Sequence, residues 1–372
     1  MKNGLMLDTT QLDHIAEHHR PREISFFGVL NELALLNPEP PSELCERNRA
    51  TEIDFDTLFE MTGGYLTQNP TLPPPQNRTI YIRAYKNADI ATRASTKKKT
   101  YPNTIFINTA HVEDPYLLTS LREGYGDAAR QLARSDIADH FISPVLLYGQ
   151  LEGNADVRTV YRLTFREELF HLKQEDTGVD ANMKRIELSV HPDVPYFMRH
   201  ILGKSQMELR KKRKAGTETP FDRFERRLNY LWKDREFQAK LDKVFCEYGR
   251  TPNDMRDALR IFDDIGLATG GYQSLRATDL MEASYIHGKP SRALAELNFA
   301  LVSVFPHGVP QRIMTQVIAY HLGHVMRLNG DADAMLKMGF ESVRVPVRNS
   351  NGAAVKGKFA THWRPLRHPL PA

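Results

Sequence analysis

The chain has 372 residues, with 50 Lys and Arg against 46 Asp and Glu, and 41% of its residues are apolar. That balance excludes a chain disordered from end to end, because this much apolar surface can offset the entropy of ordering. No apolar run approaches the ~18 residues of a membrane helix, and the length suits two or three domains of roughly 100–200 residues each.

Residues 1–67 read as an acidic helical segment. Five basic residues face twelve acidic ones over residues 1–60, a net −7. Thr10 and Ser25 suit N-caps, and SFFGVLNELALL stops at Asn37-Pro38-Glu39-Pro40-Pro41, since proline breaks the helix it enters and the residue before it. IDFDTLFEMTG predicts another helix, ending at Gly63-Gly64. MKNGLMLDTTQLDHIAEHH has no apolar signal core, so a cytoplasmic chain is expected. QNPTLPPPQN is a proline-rich connector between this segment and the next domain.

Residues 78–200 predict a mixed-sheet middle domain. RTIYIRAY and NTIFINTA are strand-like runs. Between them ADIATRASTKKKTYP predicts a mobile basic loop or hairpin tip, and residues 81–101 carry a net +5. DPYLLTSLREGYGDAARQLARSDIADHF has helical spacing. PVLLYGQL, RTVYRLTFREELFHL and KRIELSV predict strands or strand–helix mixtures.

Residues 201–372 predict a helical region ending in a β-hairpin. The run Arg210-Lys211-Lys212-Arg213-Lys214 is the densest positive charge in the chain. FDRFERRLNYLWKDREFQAKLDKVFCEYG is amphipathic at the helical period. TPNDMRDALRIFDDIG predicts a helix capped by Thr251-Pro252 and closed by Gly266. RALAELNFALVSVF and PQRIMTQVIAYHLGHVMRL predict two more helices. Two alternating runs then flank Asn349-Ser350-Asn351-Gly352, a strong hairpin signal because Asn-Gly tolerates positive φ. The fold class is therefore α+β or α/β. The stretch TPNDMRDALRIFDDIGLATGGYQSL resembles the recognition helix and wing of a winged helix-turn-helix.

Motifs for catalysis and cofactors are sparse. There is no P-loop, G-x-S-x-G, H-E-x-x-H or EF-hand loop. Gly124-Tyr125-Gly126-Asp127-Ala128-Ala129 matches G-x-G-x-x-A, but a helix-like run precedes it where a dinucleotide site needs a strand. His321 with His324, Glu167 and Glu168 with His171, and His14 with His18 and His19 each fall short of an evident third ligand. No metal and no cofactor are expected. Cys45 and Cys246, about 200 residues apart, make no disulfide framework.

Charge supplies the leading reading, a non-catalytic nucleic-acid-binding protein for DNA or RNA. Phosphates need only charge and reach from Lys and Arg, and aromatic rings can stack on bases. The expected contacts are Lys97, Lys98 and Lys99; Arg210, Lys211, Lys212, Arg213 and Lys214; Arg256 and Arg260, four apart on one helix face; and Arg344, Arg348, Lys356, Lys358, Trp363 and Arg364 of the terminal hairpin. By the two-residue strand period Arg344, Arg348, Lys356 and Lys358 share one face, with the valines, Gly357 and Phe359 opposite. Two other readings stand beside it. One is an enzyme with its site at the edge of the middle sheet, where Glu168 and His171 would be tested first. The other is an assembly subunit whose acidic N-terminal segment meets a basic protein partner. No membrane partner is expected.

Overall fold

The computed structural model describes residues 50–67, 70–71, 78–85, 94–97, 101–108, 157–176, 206–219, 222, 230–231, 233–267, 285–304, 311–348 and 353–366. Outside these lie the helices expected before residue 50, the helix expected at 114–141, the strands expected from PVLLYGQL and KRIELSV, most of FDRFERRLNYLW, and the Gly-Gly turn of the expected wing, within 268–275. Cys45, the His14, His18 and His19 group and the Gly124-Tyr125-Gly126 motif lie outside them too. The described residues combine helices with a mixed sheet, an α+β fold. The chain divides into two compact units, one of residues 1–65, 73–128 and 145–173, the other of 66–72, 129–144 and 174–372.

The first unit holds a four-stranded sheet of β1 (Thr51–Asp54), β2 (Thr79–Tyr85), β3 (Ala94–Lys97) and β4 (Tyr101–Asn108), in the order β1-β2-β4-β3. β2 and β4 run parallel, with Ile82 opposite Ile105, and the two edge strands are antiparallel to their neighbours. The parallel pair needs no crossover helix, because β3 runs back along the far edge of β4 and returns the chain to its start. ADIATRASTKKKTYP is thus partly strand rather than all loop. Strand pairing at Ala94–Lys97 outweighs its polar composition, and the ladder becomes irregular at Thr96/Lys97, where the lysines begin.

Period-two alternation puts Ile80, Ile82, Ile105 and Ile107 on one side of the sheet, all buried. Two helices cover that side. α1 (Phe55–Met61) contributes Phe55, Leu58 and Phe59. It starts two residues later than the sequence pattern suggested, because Ile53 and Asp54 complete β1. The Asp54 carboxylate accepts from the Thr57 N–H at 3.0 Å and so caps the helix. α2 (Val157–Asp176) is a single twenty-residue helix, where strand or mixed structure was expected from RTVYRLTFREELFHL. Its Phe165, Leu169 and Leu172 fall at i, i+4 and i+7 and join the isoleucines in one core. The β-prone opening Val-Tyr is overridden by that packing stripe. Arg166, fully buried, donates to the Gly64 carbonyl at 2.6 Å and lies over the Phe59 ring.

The second unit holds α3 (Gln206–Lys214), α4 (Asp234–Tyr248), α5 (Met255–Ile265), the short pair β5 (Tyr285–Ile286) and β6 (Lys289–Pro290), then α6 (Arg292–Val304), α7 (Gln311–Leu328) and α8 (Ala334–Lys337). It closes on a two-stranded ribbon, β7 (Phe340–Arg348) and β8 (Ala354–Pro365), as the hairpin pattern predicted. α4 packs against both α6 and α7. It is buried nearly all round, so its polar residues are matched inside: Lys240 meets Glu296 at 3.0 Å, and Asn329 donates to Asp242 at 2.7 Å. α5 ends at Gly266 in the left-handed region (φ 64), as expected. Its N-cap is Asp254, which accepts from Asp257 N–H at 2.8 Å, rather than Thr251. Thr251 is occupied elsewhere, its hydroxyl on that of Thr67 at 3.1 Å and its N–H on the Leu66 carbonyl. α8 sits close on α7 at Gly323, where a Cβ would come 2.6 Å from the Met335 sulfur and 3.3 Å from its Cα.

Candidate nucleic-acid interface

The ribbon is tied down at its base. Phe340, the first residue of β7, is buried edge-on against the Tyr320 ring of α7 at 5.4 Å, and Leu366 N–H closes on the Gly339 carbonyl at 2.9 Å. Beyond that base β7 alternates. Val343, Val345 and Val347 are half-buried, while Ser342, Arg344 and Pro346 are exposed. Between the base and the tip the Arg344 side is therefore the more open one, while at the base that same side carries Phe340 and meets α7.

Register decides which β8 residues share the solvent side. Ser342 lies opposite Trp363, Arg344 opposite Thr361 and Pro346 opposite Phe359. Cross-strand partners share a face, so Phe359, Thr361 and Trp363 accompany Arg344. The guanidinium of Arg344 lies 5.3 Å from the Phe359 ring centre, and Arg327, from the last turn of α7, lies 5.9 Å from Trp363. Phe359 is 53% exposed.

This corrects the face assignment made from the sequence. Phe359 lies with Arg344, not with the valines. The cause is a break in register: between Pro346↔Phe359 and Arg348↔Ala354, β8 carries residues 355–358 against Val347 alone. Gly357, at φ 73, takes the left-handed turn within that break. An isolated glycine in a strand pattern is a bulge signal, and it is the one cue that could have revealed the shift. Nothing in the sequence pointed to Arg327, whose place under Trp363 depends on how α7 meets the ribbon.

No family model, curated protein or solved structure matches the chain.

The other predicted contacts fall in several places. Lys97 ends β3 in the first unit, and Lys98 and Lys99 lie outside the described residues. Arg210 lies within α3, and Lys211, Lys212, Arg213 and Lys214 form its last turn, where cations also favour the negative end of the helix dipole. Lys211, Arg213 and Lys214 are exposed, whereas Lys212 is held by Asp222 at 2.9 and 3.1 Å. Asp222 in turn accepts from the Thr219 N–H and hydroxyl. On α5, Arg256 and Arg260 are both exposed. Arg260 is 72% exposed and only 3.5 Å from Asp257, a carboxylate already gripped by Arg250 through two hydrogen bonds of 2.6 and 3.0 Å. That grip holds Asp257 below the usual carboxylate range. Arg364 is spent on Glu341 at 2.8 Å. Lys356 and Lys358 are exposed, and Arg348 pairs with Ala354 in the ladder.

The residues weighed for chemistry are interior. Glu168 and His171 are both buried along α2. Tyr85 is pushed up to about 12, first by burial and then by the Glu168 charge. His321 and His324 are fully enclosed in α7. His321 Nδ1 lies 3.4 Å from the Gln238 amide, and His324 Nε2 lies 2.8 Å from the Tyr320 hydroxyl. They are core histidines, each engaged by a neighbour. In the described part of the acidic segment Asp56 is raised by burial, then by Asp54 and Glu60, while Lys173 and Arg78 act in the opposite direction.

Proposed function

We propose that the chain binds nucleic acid through the β7–β8 ribbon, with the exposed cations of α3 and α5 adding phosphate contacts. The observation that carries the reading is the solvent side of the ribbon, where Arg344 and Phe359 stand together in the open. A ribbon that only closed the fold would gain nothing from a large ring and a guanidinium on its outer face. Lys356 and Lys358, also exposed, extend the positive charge toward the tip. Two-stranded ribbons are among the elements that enter nucleic-acid grooves, and Lys and Arg bind phosphates by releasing condensed counterions.

Fluorescence anisotropy with labelled DNA and RNA at ~50 mM salt, where phosphate contacts are strong, tests this. Saturable binding is expected. Replacing Arg344, Arg348, Lys356 and Lys358 together by Gln should weaken it about tenfold or more, since each lost phosphate contact removes its counterion release. Absence of binding to every DNA and RNA offered would end the proposal.

A further inference from the structure

We infer that the ligand on the ribbon's solvent side is single-stranded nucleic acid, its unpaired bases stacking on Phe359 and Trp363. The inference rests on the nucleic-acid reading above and narrows it to one class of ligand.

Phe359 is the most exposed of the four large hydrophobic residues that stand out among the described ones, the others being Leu259, Tyr285 and Leu336. Arg344 lies over its ring, and 53% of the residue's surface remains open. Trp363 repeats the arrangement four residues further along the same strand, half-buried and flanked by Arg327. Each ring thus comes with a cation that reaches a phosphate or stacks on a neighbouring base, the combination that binds bases without regard to sequence. Thr361, exposed between the rings, offers a hydroxyl to sugar or base.

Spacing separates single strands from duplexes. Four strand residues set Phe359 and Trp363 ~13 Å apart, about four times the 3.4 Å step of stacked bases. In a duplex those bases are paired and stacked, and only the terminal pair shows a face. A single strand can splay its bases, so that two of them reach the two rings while the nucleotides between pass Arg344 and Thr361. The cations beside the rings and at the ribbon tip complement a polyanion rather than a second apolar surface, which sets this occupant above a protein helix or another copy of the chain.

The experiment compares a labelled 20-nucleotide oligo(dT) with a 20-base-pair duplex, for the parent chain, Phe359→Ala, Phe359→Trp and the Arg344, Arg348, Lys356 and Lys358→Gln variant. Thermal unfolding of each variant confirms folding, and sedimentation gives the oligomeric state. The single strand should bind at least tenfold tighter than the duplex. Phe359→Ala should weaken oligo(dT) binding by about tenfold or more, in line with base–aromatic stacking, and duplex binding by less than about twofold. Its salt slope should not change, because no phosphate contact is lost. Phe359→Trp should retain oligo(dT) binding. Equal affinity for the two ligands, or a Phe359→Ala loss that is absent or equal on both, overturns the single-strand inference and leaves the nucleic-acid reading standing. Failure of both ligands to bind the parent overturns both. A parent dimer that Phe359→Ala dissolves gives this face to a second copy and overturns the inference as well.

Discussion

At the scale of single residues, the structure sorts groups by what already holds them. Lys212 and Arg364 look like any other cation in the sequence, yet Asp222 and Glu341 engage them. The Arg364–Glu341 pair is exposed and contributes little to stability, whereas Lys212 meets a buried carboxylate. His321 and His324 show the reverse case, where sequence spacing hinted at a metal and burial supplies the meaning. Both are pushed down to about 3, His321 by burial, His324 by burial and then by the charges of His321 and Arg327. The groups facing them are Gln238 of α4, the Phe237 ring at 4.9 Å, and Tyr320. A histidine with a depressed folded value stays neutral in the fold but takes up a proton when unfolded, through its ordinary range near 6.5. Stability is therefore complete above about pH 6.5 and falls as pH drops from there toward 3, because the unfolded chain binds more protons across that window. Urea unfolding at pH 7 and pH 4.5 should show a loss on the order of a few kcal/mol. The His321→Gln, His324→Gln double variant should lose the part of that slope that begins near pH 6.5. A slope unchanged by the double variant would show that other groups cause it.

At the scale of elements, the ribbon's charge can be tested apart from its folding. Its arginine and lysine residues that are described at the side chain are exposed, so the Arg344, Arg348, Lys356 and Lys358→Gln variant should unfold within about 0.5 kcal/mol of the parent. Val345 on the other side is half-buried rather than enclosed, so Val345→Asp should be destabilising by about 1–2 kcal/mol, less than a core position would lose. Chemical denaturation of the two proteins checks both values. A quadruple variant that unfolds early would make these cations part of the scaffold. The same element shows how far a sequence can be read. Asn-Gly between two alternating runs was enough to place both strands. The β7 alternation was legible too, since Val343, Val345 and Val347 are the less exposed positions. What stayed hidden was the partner of each residue: one glycine-centred break moves Phe359 across the ribbon, and a period of two carries no memory past such a break. α2 failed for a related reason. Its β-prone start is a local property, while the Phe165, Leu169 and Leu172 stripe has meaning only against a sheet made from distant residues.

At the scale of the whole molecule, charge is the testable quantity. Lys211, Arg213, Lys214, Arg256, Arg260, Arg344, Lys356 and Lys358, all in the second unit, are exposed. At roughly 0.7–0.9 per neutralised phosphate, a log–log plot of affinity against salt should slope between about −4 and −7 if most of them are used. Titrations at several salt concentrations measure it, and a slope near −1 would restrict the contact to the ribbon rings. Residues 66–67 and 70–71 belong to the second unit though they lie within the first in sequence, and the proline-rich connector marks that change without fixing its position. Contacts between distant segments, such as Thr71 donating to the Gly330 carbonyl at 2.7 Å, create that division. The ribbon also bears on how the chain keeps company with itself. Among the described residues β7 and β8 pair only with each other, so each strand keeps an outer edge of backbone groups that another strand could join. Pro346 lacks an N–H to offer there, the break at Gly357 interrupts the other edge, and the flanking lysines and arginines repel a second ribbon. A polyanion that neutralises those charges lifts the repulsion and leaves proline and bulge as the remaining guards, so crowding many chains on one strand would bring the ribbons nearest to fibre formation.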